Sequence, residues 1–302
     1  MSAGPDSLKS ILFALGANAA IAVAKTAGAV YTGSASMLAE AIHSFADCAN
    51  QALLLLGMKE GKKPASAEHP LGHGRAVYFW SFIVALMLFS MGGLFSIYEG
   101  VHKLHGSAPV SNAWVAMAIL GFGVVAESIS LWGALREIAK DRGGRSLWRW
   151  FRQSRQSELI VIFAEDVAAL AGLVLALGAV AVSVSTGDPR WDAAGSIAIG
   201  CVLVGVALLV GIEIKALLIG QSMAPEQVAA LRTHLEGEAD VAAVYSIVTQ
   251  QLGGDVMVAI KARLQPMATD TALVAAINAI EERLRAAFPA IRWMFFEPDS
   301  RD

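Results

Sequence analysis

Charge is the first thing this 302-residue chain is short of. Only 16% of its residues are Asp, Glu, Lys or Arg, against 56% that are hydrophobic, where a soluble globular domain carries about 25% charged residues. That balance excludes an ordinary water-soluble protein and implies a polytopic α-helical membrane protein. Cysteine is nearly missing. Cys48 and Cys201 lie far apart, both in apolar segments, so no disulfide framework is expected and Cys48 is read as packing. No basic surface of the nucleic-acid-binding kind is present, so nucleic acid is not an expected partner. There is no HExxH or nucleophile motif, which argues against an enzyme, in particular an intramembrane metal hydrolase built on His43. The N-terminus lacks Arg- and Ser-rich transit character. The first apolar run is too long for a usual signal-peptide core. Cleavage near Ser34 to Ser36 is the alternative, and no polar domain follows it.

What the chain has is length without charge. Six apolar runs reach the ~20 residues needed to span a bilayer: Leu8–Val30, Ser36–Met58, Val77–Glu99, Ala113–Leu135, Leu159–Ser185 and Ala193–Leu218. Lys59, Lys62, Lys63 and Arg75 fall between runs two and three. Arg136, Lys140, Arg142, Arg145, Arg149, Arg152 and Arg155 fall between four and five. The opposite connections carry Lys103 and Arg190. Basic loops stay cytoplasmic, so both termini are expected there. Trp148, Trp150 and Phe151 interleave with the arginines of the four–five connection. They read as interfacial belt residues or as a helix lying on anionic lipid. Lys25, near the end of the first run, is expected to snorkel to the interface rather than pair inside the bundle.

The composition changes after Leu218. Two helices, Pro225–Glu236 with Ser222 as its cap and Thr271–Phe288, alternate with strands at Val241–Gln250, Asp255–Leu264 and Ile291–Phe296. Gly253-Gly254 marks the turn between the first two strands. The pattern predicts a small two-layer α+β domain over residues 221–302, following a six-helix membrane domain over residues 1–220. About 80 residues make only a small core, so partner contacts are expected.

The informative residues are the ionisable ones inside the apolar runs. Glu40, His43 and Asp47 share one helical face of the second run. Each charged group in a bilayer costs roughly 2.5 kcal/mol or more unless it faces a partner or a cavity. His and Asp at i, i+4 also suit two ligands of one divalent ion. The fifth run adds Glu165 and Asp166 and the fourth adds Glu127, while Glu99 and Glu213 lie near span ends. Glu165 and Asp166 point about 100° apart on a helix, so they need not face one site; Asp166 is favoured as a ligand. Glu127 is either an interhelical strut or a ligand. Glu40 is read as structural, or as a residue on the ion's way in. Carboxyls gathered round an imidazole in low dielectric cannot all ionise unaided. A divalent cation would displace their protons, which is the physical basis for exchanging metal for protons.

The stretch TGSASMLAEAIHSFADCANQALLLLG, followed by EHPLGHGRAVYFW, resembles the cation diffusion facilitators over essentially the whole chain. FAEDVAALAGLVLAL and MAPEQVAAL look most like the branch containing the animal mitochondrial zinc transporter. The resemblance implies a divalent-metal/proton antiporter with six spans, working as a homodimer with a cytoplasmic ferredoxin-like tail. It implies Zn²⁺ as the default cargo and no resident cofactor. It assigns His43, Asp47 and Asp166 as metal ligands. The chain departs from the family pattern where Ile162 replaces a histidine, which leaves the fourth ligand open between Glu165 and Glu127. Val77 stands where a Glu often follows HGR-Ala, and His234 is the tail's only histidine, so metal sensing by the tail is not expected. One imidazole with oxygen ligands also suits Mn²⁺, Fe²⁺, Co²⁺ or Ni²⁺. A non-transporting membrane scaffold is the rival reading. Short loops and the missing transit character point to a bacterial inner membrane.

Overall fold

A computed structural model describes residues 5–33, 35–105 and 113–301, excepting the side chains of residues 5–14, 17, 35, 36 and 40. Ser34 and the side chains of Ser36 and Glu40, which were given roles above, lie outside the described residues. The described elements are α1 (Pro5–Thr32), α2 (Ala35–Gly61), α3 (Ala76–Leu104), α4 (Ala113–Arg142), the short α5 (Leu147–Gln153), α6 (Ser157–Thr186), α7 (Arg190–Ile219), α8 (Pro225–Glu236), β1 (Val241–Leu252), β2 (Asp255–Leu264), α9 (Asp270–Ala287) and β3 (Ile291–Pro298). Among the described residues, α3, α4, α6 and α7 are long and apolar enough to cross a membrane. α1 and α2, at 28 and 27 residues, are nearly as long: about 40 Å at 1.5 Å per residue. Large apolar side chains such as Phe122, Ile129, Val174, Leu208 and Ile212 are exposed on these helices, as a lipid-facing surface requires and a water-facing one does not tolerate.

Small residues let the helices cross closely. On α3 and α7, a Cβ on Gly200 would lie 2.6 Å from the Gly93 carbonyl oxygen, and one on Gly100 would lie 2.7 Å from the Ala193 oxygen. Backbone contact of this kind replaces the hydrophobic drive that lipid removes. Within α3, Leu88–Leu94 winds as a π-helix. Such turns shift the register of everything beyond them, and this one carries Gly92 and Gly93 to the helix crossings.

Three of the expectations above are corrected. Lys25 does not snorkel: it is 1% exposed and donates to Ser44 Oγ at 2.8 Å. A bundle wide enough to supply polar neighbours makes that position cheaper than a stretch toward water. Ser222 does not cap α8. Ala224 takes the N-cap position with Pro225 at N1, where a missing N–H costs nothing, and the Ser222 hydroxyl instead bonds Thr249 Oγ1 at 2.6 Å. The aromatics of α5 are not all interfacial. Trp148 is exposed, but Trp150 and Phe151 are buried, and the Trp150 indole donates to Asp141 Oδ2 at 2.9 Å. α5 is thereby packed onto Phe163 of α6, and Arg152 pairs with Glu213 of α7.

The C-terminal residues form a three-stranded sheet in the order β1-β2-β3, antiparallel and then parallel. Val256, Val258, Ile260 and Ala262 alternate onto the buried face of β2, where Leu231, Leu235, Ile280 and Leu284 of the two helices cover them. The β1–β2 hairpin turns at Gly253, whose φ of +69° disfavours other residues. Its tip docks on the connection between α2 and α3. Tyr78 Oη accepts from Gly253 N at 2.9 Å, and a Cβ on Gly74 would fall 2.1 Å from the Leu252 carbonyl oxygen. At the end of α2, hydrogen bonds from the Trp80 indole of α3 and from Lys63 hold the Glu60 carboxyl below its ordinary range.

Two substitutions test these contacts. Gly200→Val should cost about 2–4 kcal/mol, by forcing α3 from α7, read as a lowered melting temperature in detergent. Tyr78→Phe should leave melting within about 1 kcal/mol while raising hydrogen exchange at Gly253.

Candidate functional site

α2 brings His43 and Asp47 to one face, with His43 Nδ1 3.5 Å from Asp47 Oδ1. Both are buried. One turn on, Asn50 donates from Nδ2 to Glu165 Oε1 of α6 at 3.3 Å. This bridge carries the site from α2 to α6 and places Glu165 within hydrogen-bond reach of Asp47. Two carboxyls at that range must share a proton or a cation. From α4, Ser130 donates to Asp166 Oδ1 at 3.1 Å. One turn earlier on α4, Glu127 is buried and in electrostatic contact with Asp47, Glu165 and Asp166. Despite the angle between them, Glu165 and Asp166 therefore border one acidic cluster, because α2 and α4 both pack on α6, α2 reaching Glu165 and α4 reaching Asp166.

Gly92, in the π-helical stretch of α3, lines the His43 side: a Cβ there would be 3.7 Å from Nδ1. The cluster is left with unused capacity. Neither nitrogen of His43 has a hydrogen-bond partner, nor does Asp47 Oδ1 or Asp166 Oδ2, and all four atoms are buried. Orphaned buried polar atoms are rare in folded proteins and need an explanation. Among the described residues, however, no three His, Cys, Asp or Glu side chains are gathered tightly enough to hold a metal ion. The candidate ligands adjoin one another without forming a closed shell. Cys48 and Cys201 are both free thiols.

Sequence reasoning passed over Asn50 and Ser130, which hold the two α6 carboxylates. The signal was present: each lies three residues after an acidic group (Asp47, Glu127) on its own helix, the spacing that keeps polar groups on one face.

The family model for the cation efflux transmembrane domain matches residues 11–219. The chain belongs to the cation efflux family. It is a multi-pass membrane protein. Among its relatives is the mitochondrial proton-coupled zinc antiporter SLC30A9. The Xenopus laevis protein is 36% identical over 226 residues, covering 74% of this chain and 40% of the relative. Metal tolerance protein C4 of Arabidopsis thaliana is 30% identical, over 72% of this chain and 48% of its own length. The cation-efflux pump FieF of Klebsiella pneumoniae is 26% identical, over 74% and 69%. The chain spans about two-fifths of the length of the vertebrate relatives.

Asn50→Ala removes the donor that fixes Glu165 and leaves a buried acceptor unmet. The expected loss is about 1–3 kcal/mol, measured as a fall in melting temperature of the purified protein in detergent.

Proposed function

We propose that the protein exports a divalent cation from the cytoplasm in exchange for protons, with Zn²⁺ the first candidate. The observation that carries the reading is the set of unpartnered buried atoms on His43, Asp47 and Asp166. They are of ligand type, they come from two helices, and they adjoin two further carboxyls. His43, Asp47 and Asp166 bind the ion, and Glu165, held by Asn50, completes the shell. Glu127 is the alternative fourth ligand. The ion draws these groups inward, since no three are closed on one point beforehand. When the bundle faces outward, protons take the ion's place on the same carboxyls, so the two fluxes are coupled. The activities of the relatives, zinc antiport and cation efflux, support this reading.

The reading extends to the architecture. Residues 1–220 form a six-span membrane domain with both termini cytoplasmic, and residues 221–302 a ferredoxin-like cytoplasmic domain. The working unit is a homodimer in a bacterial inner membrane, without enzymatic activity or resident cofactor. The donor set favours one second reading within the same mechanism. With a single imidazole among oxygen donors, the site is harder than one with two histidines, and Mn²⁺, Fe²⁺ or Co²⁺ becomes the competing cargo.

Proteoliposomes carrying a pH-sensitive dye decide between these readings. Wild-type protein should move protons when Zn²⁺ is added, and Mn²⁺, Fe²⁺ and Co²⁺ in parallel rank the cargo. Asp47→Ala should reduce metal-driven proton movement to background while still folding. Undiminished exchange by that variant would refute the ligand assignment. Absence of flux with every metal would leave the scaffold reading.

A further inference from the structure

Lys25 has no place in the ligand set, yet the fold delivers it to the same region. α1 carries it into the bundle, where it is 1% exposed and donates to Ser44 Oγ at 2.8 Å. Ser44 follows His43 directly. On α4, a glycine makes room for the lysine stem: a Cβ at Gly123 would lie 3.4 Å from Lys25 Cε. The ammonium is in electrostatic contact with His43, Asp47 and Glu127. It thus stands where α1, α2 and α4 meet, beside the acidic cluster of Asp47, Glu127, Glu165 and Asp166.

A buried ammonium inside a membrane protein is held by acidic groups, by backbone carbonyls or in a polar cavity. Among the acidic groups near Lys25 are ones assigned to the cargo. The lysine cannot leave and the metal can. Two cations in one low-dielectric pocket repel; for a unit and a double charge about 10 Å apart the bare effect on an equilibrium exceeds about a hundredfold at an effective dielectric near 20, and at least about tenfold remains where water and neighbouring charges screen it. A transport site needs this moderation, because an ion held too tightly is not released.

We propose that Lys25 is a built-in competitor of the cargo, a tethered cation that weakens the pocket's grip on the divalent ion and so speeds its release. The inference rests on the metal-site reading above. Lys25 acts through the pocket's charge and touches no metal, so it is a positioning residue in this scheme.

The test is Zn²⁺ binding to the full chain in detergent, with KM and maximal rate measured in proteoliposomes. Lys25→Met removes the charge at similar length, and Lys25→Gln also keeps a donor for Ser44. Both should bind Zn²⁺ at least about tenfold tighter than wild type, with KM and maximal rate falling together. Lys25→Arg keeps the charge and should stay within about threefold of wild type. Neutral variants with unchanged or weaker binding would overturn the proposal. So would collapse of both neutral variants while Lys25→Arg folds, because Lys25 would then be a strut. Failure of wild-type protein to bind Zn²⁺, Mn²⁺, Fe²⁺ or Co²⁺ removes the metal reading itself and this inference with it; wild-type binding with indifferent neutral variants removes this inference alone.

Discussion

Acidic groups crowded together away from water are the constraint on which this bundle turns. Asp47, Glu127, Glu165 and Asp166 are all buried, and they interact across α2, α4 and α6. Mutual repulsion and lost hydration forbid four bare carboxylates there. Their charge has to be answered by protons, by Lys25 or by a bound cation, and the antiport proposed above is an exchange among those answers. The hydrogen bonds from Asn50 and Ser130 restrict which oxygens remain open. They leave Asp47 Oδ1, Asp166 Oδ2 and both His43 nitrogens without partners, the open positions on which the proposed ion site rests.

The rest of the membrane part positions that cluster. The π-helical stretch of α3 and the glycine crossings onto α7 bring backbone against backbone where a side chain would hold the helices apart. The same stretch puts Gly92 beside the imidazole, so the helix-packing device and the wall of the site are one segment. On the side of the α2–α3 connection, the β1–β2 hairpin presses its turn onto Gly74 and Tyr78. The tail therefore reaches the start of α3, the helix that carries the π stretch. α5 adds a second brace, with Trp150 bonded to Asp141 at the end of α4 and Arg152 paired with Glu213 on α7.

Much of this was legible in the sequence. Apolar runs of spanning length located the helices, because a lipid-facing helix leaves no choice but continuous hydrophobicity, but they stopped five residues short of the end of α3 and seven short of the end of α4, where the helices continue through polar residues. Period-two and helical spacing gave the elements of the tail, with Gly253-Gly254 at the turn. What failed is instructive. Lys25 was assigned to the interface because distance to the helix end is visible in one dimension, while an acidic neighbourhood built by other helices is not. Ser222 carried the chemistry of a cap, but Thr249, reached only through the folded sheet, claimed its hydroxyl. Trp150 and Phe151 matched a belt pattern, yet Phe163 of α6 buried them.

The sequence by itself determined the solvent this protein lives in, its long apolar helices, and the face of α2 on which His43 and Asp47 lie, because hydropathy and the 3.6-residue period act along a single chain segment. Only the tertiary structure decided which acidic groups meet. Whether Glu165 and Asp166, pointing apart on one helix, border the same cluster depends on α2 and α4 packing on adjoining sides of α6. That placement is set by helix crossings between residues distant in the chain, and no local periodicity encodes it.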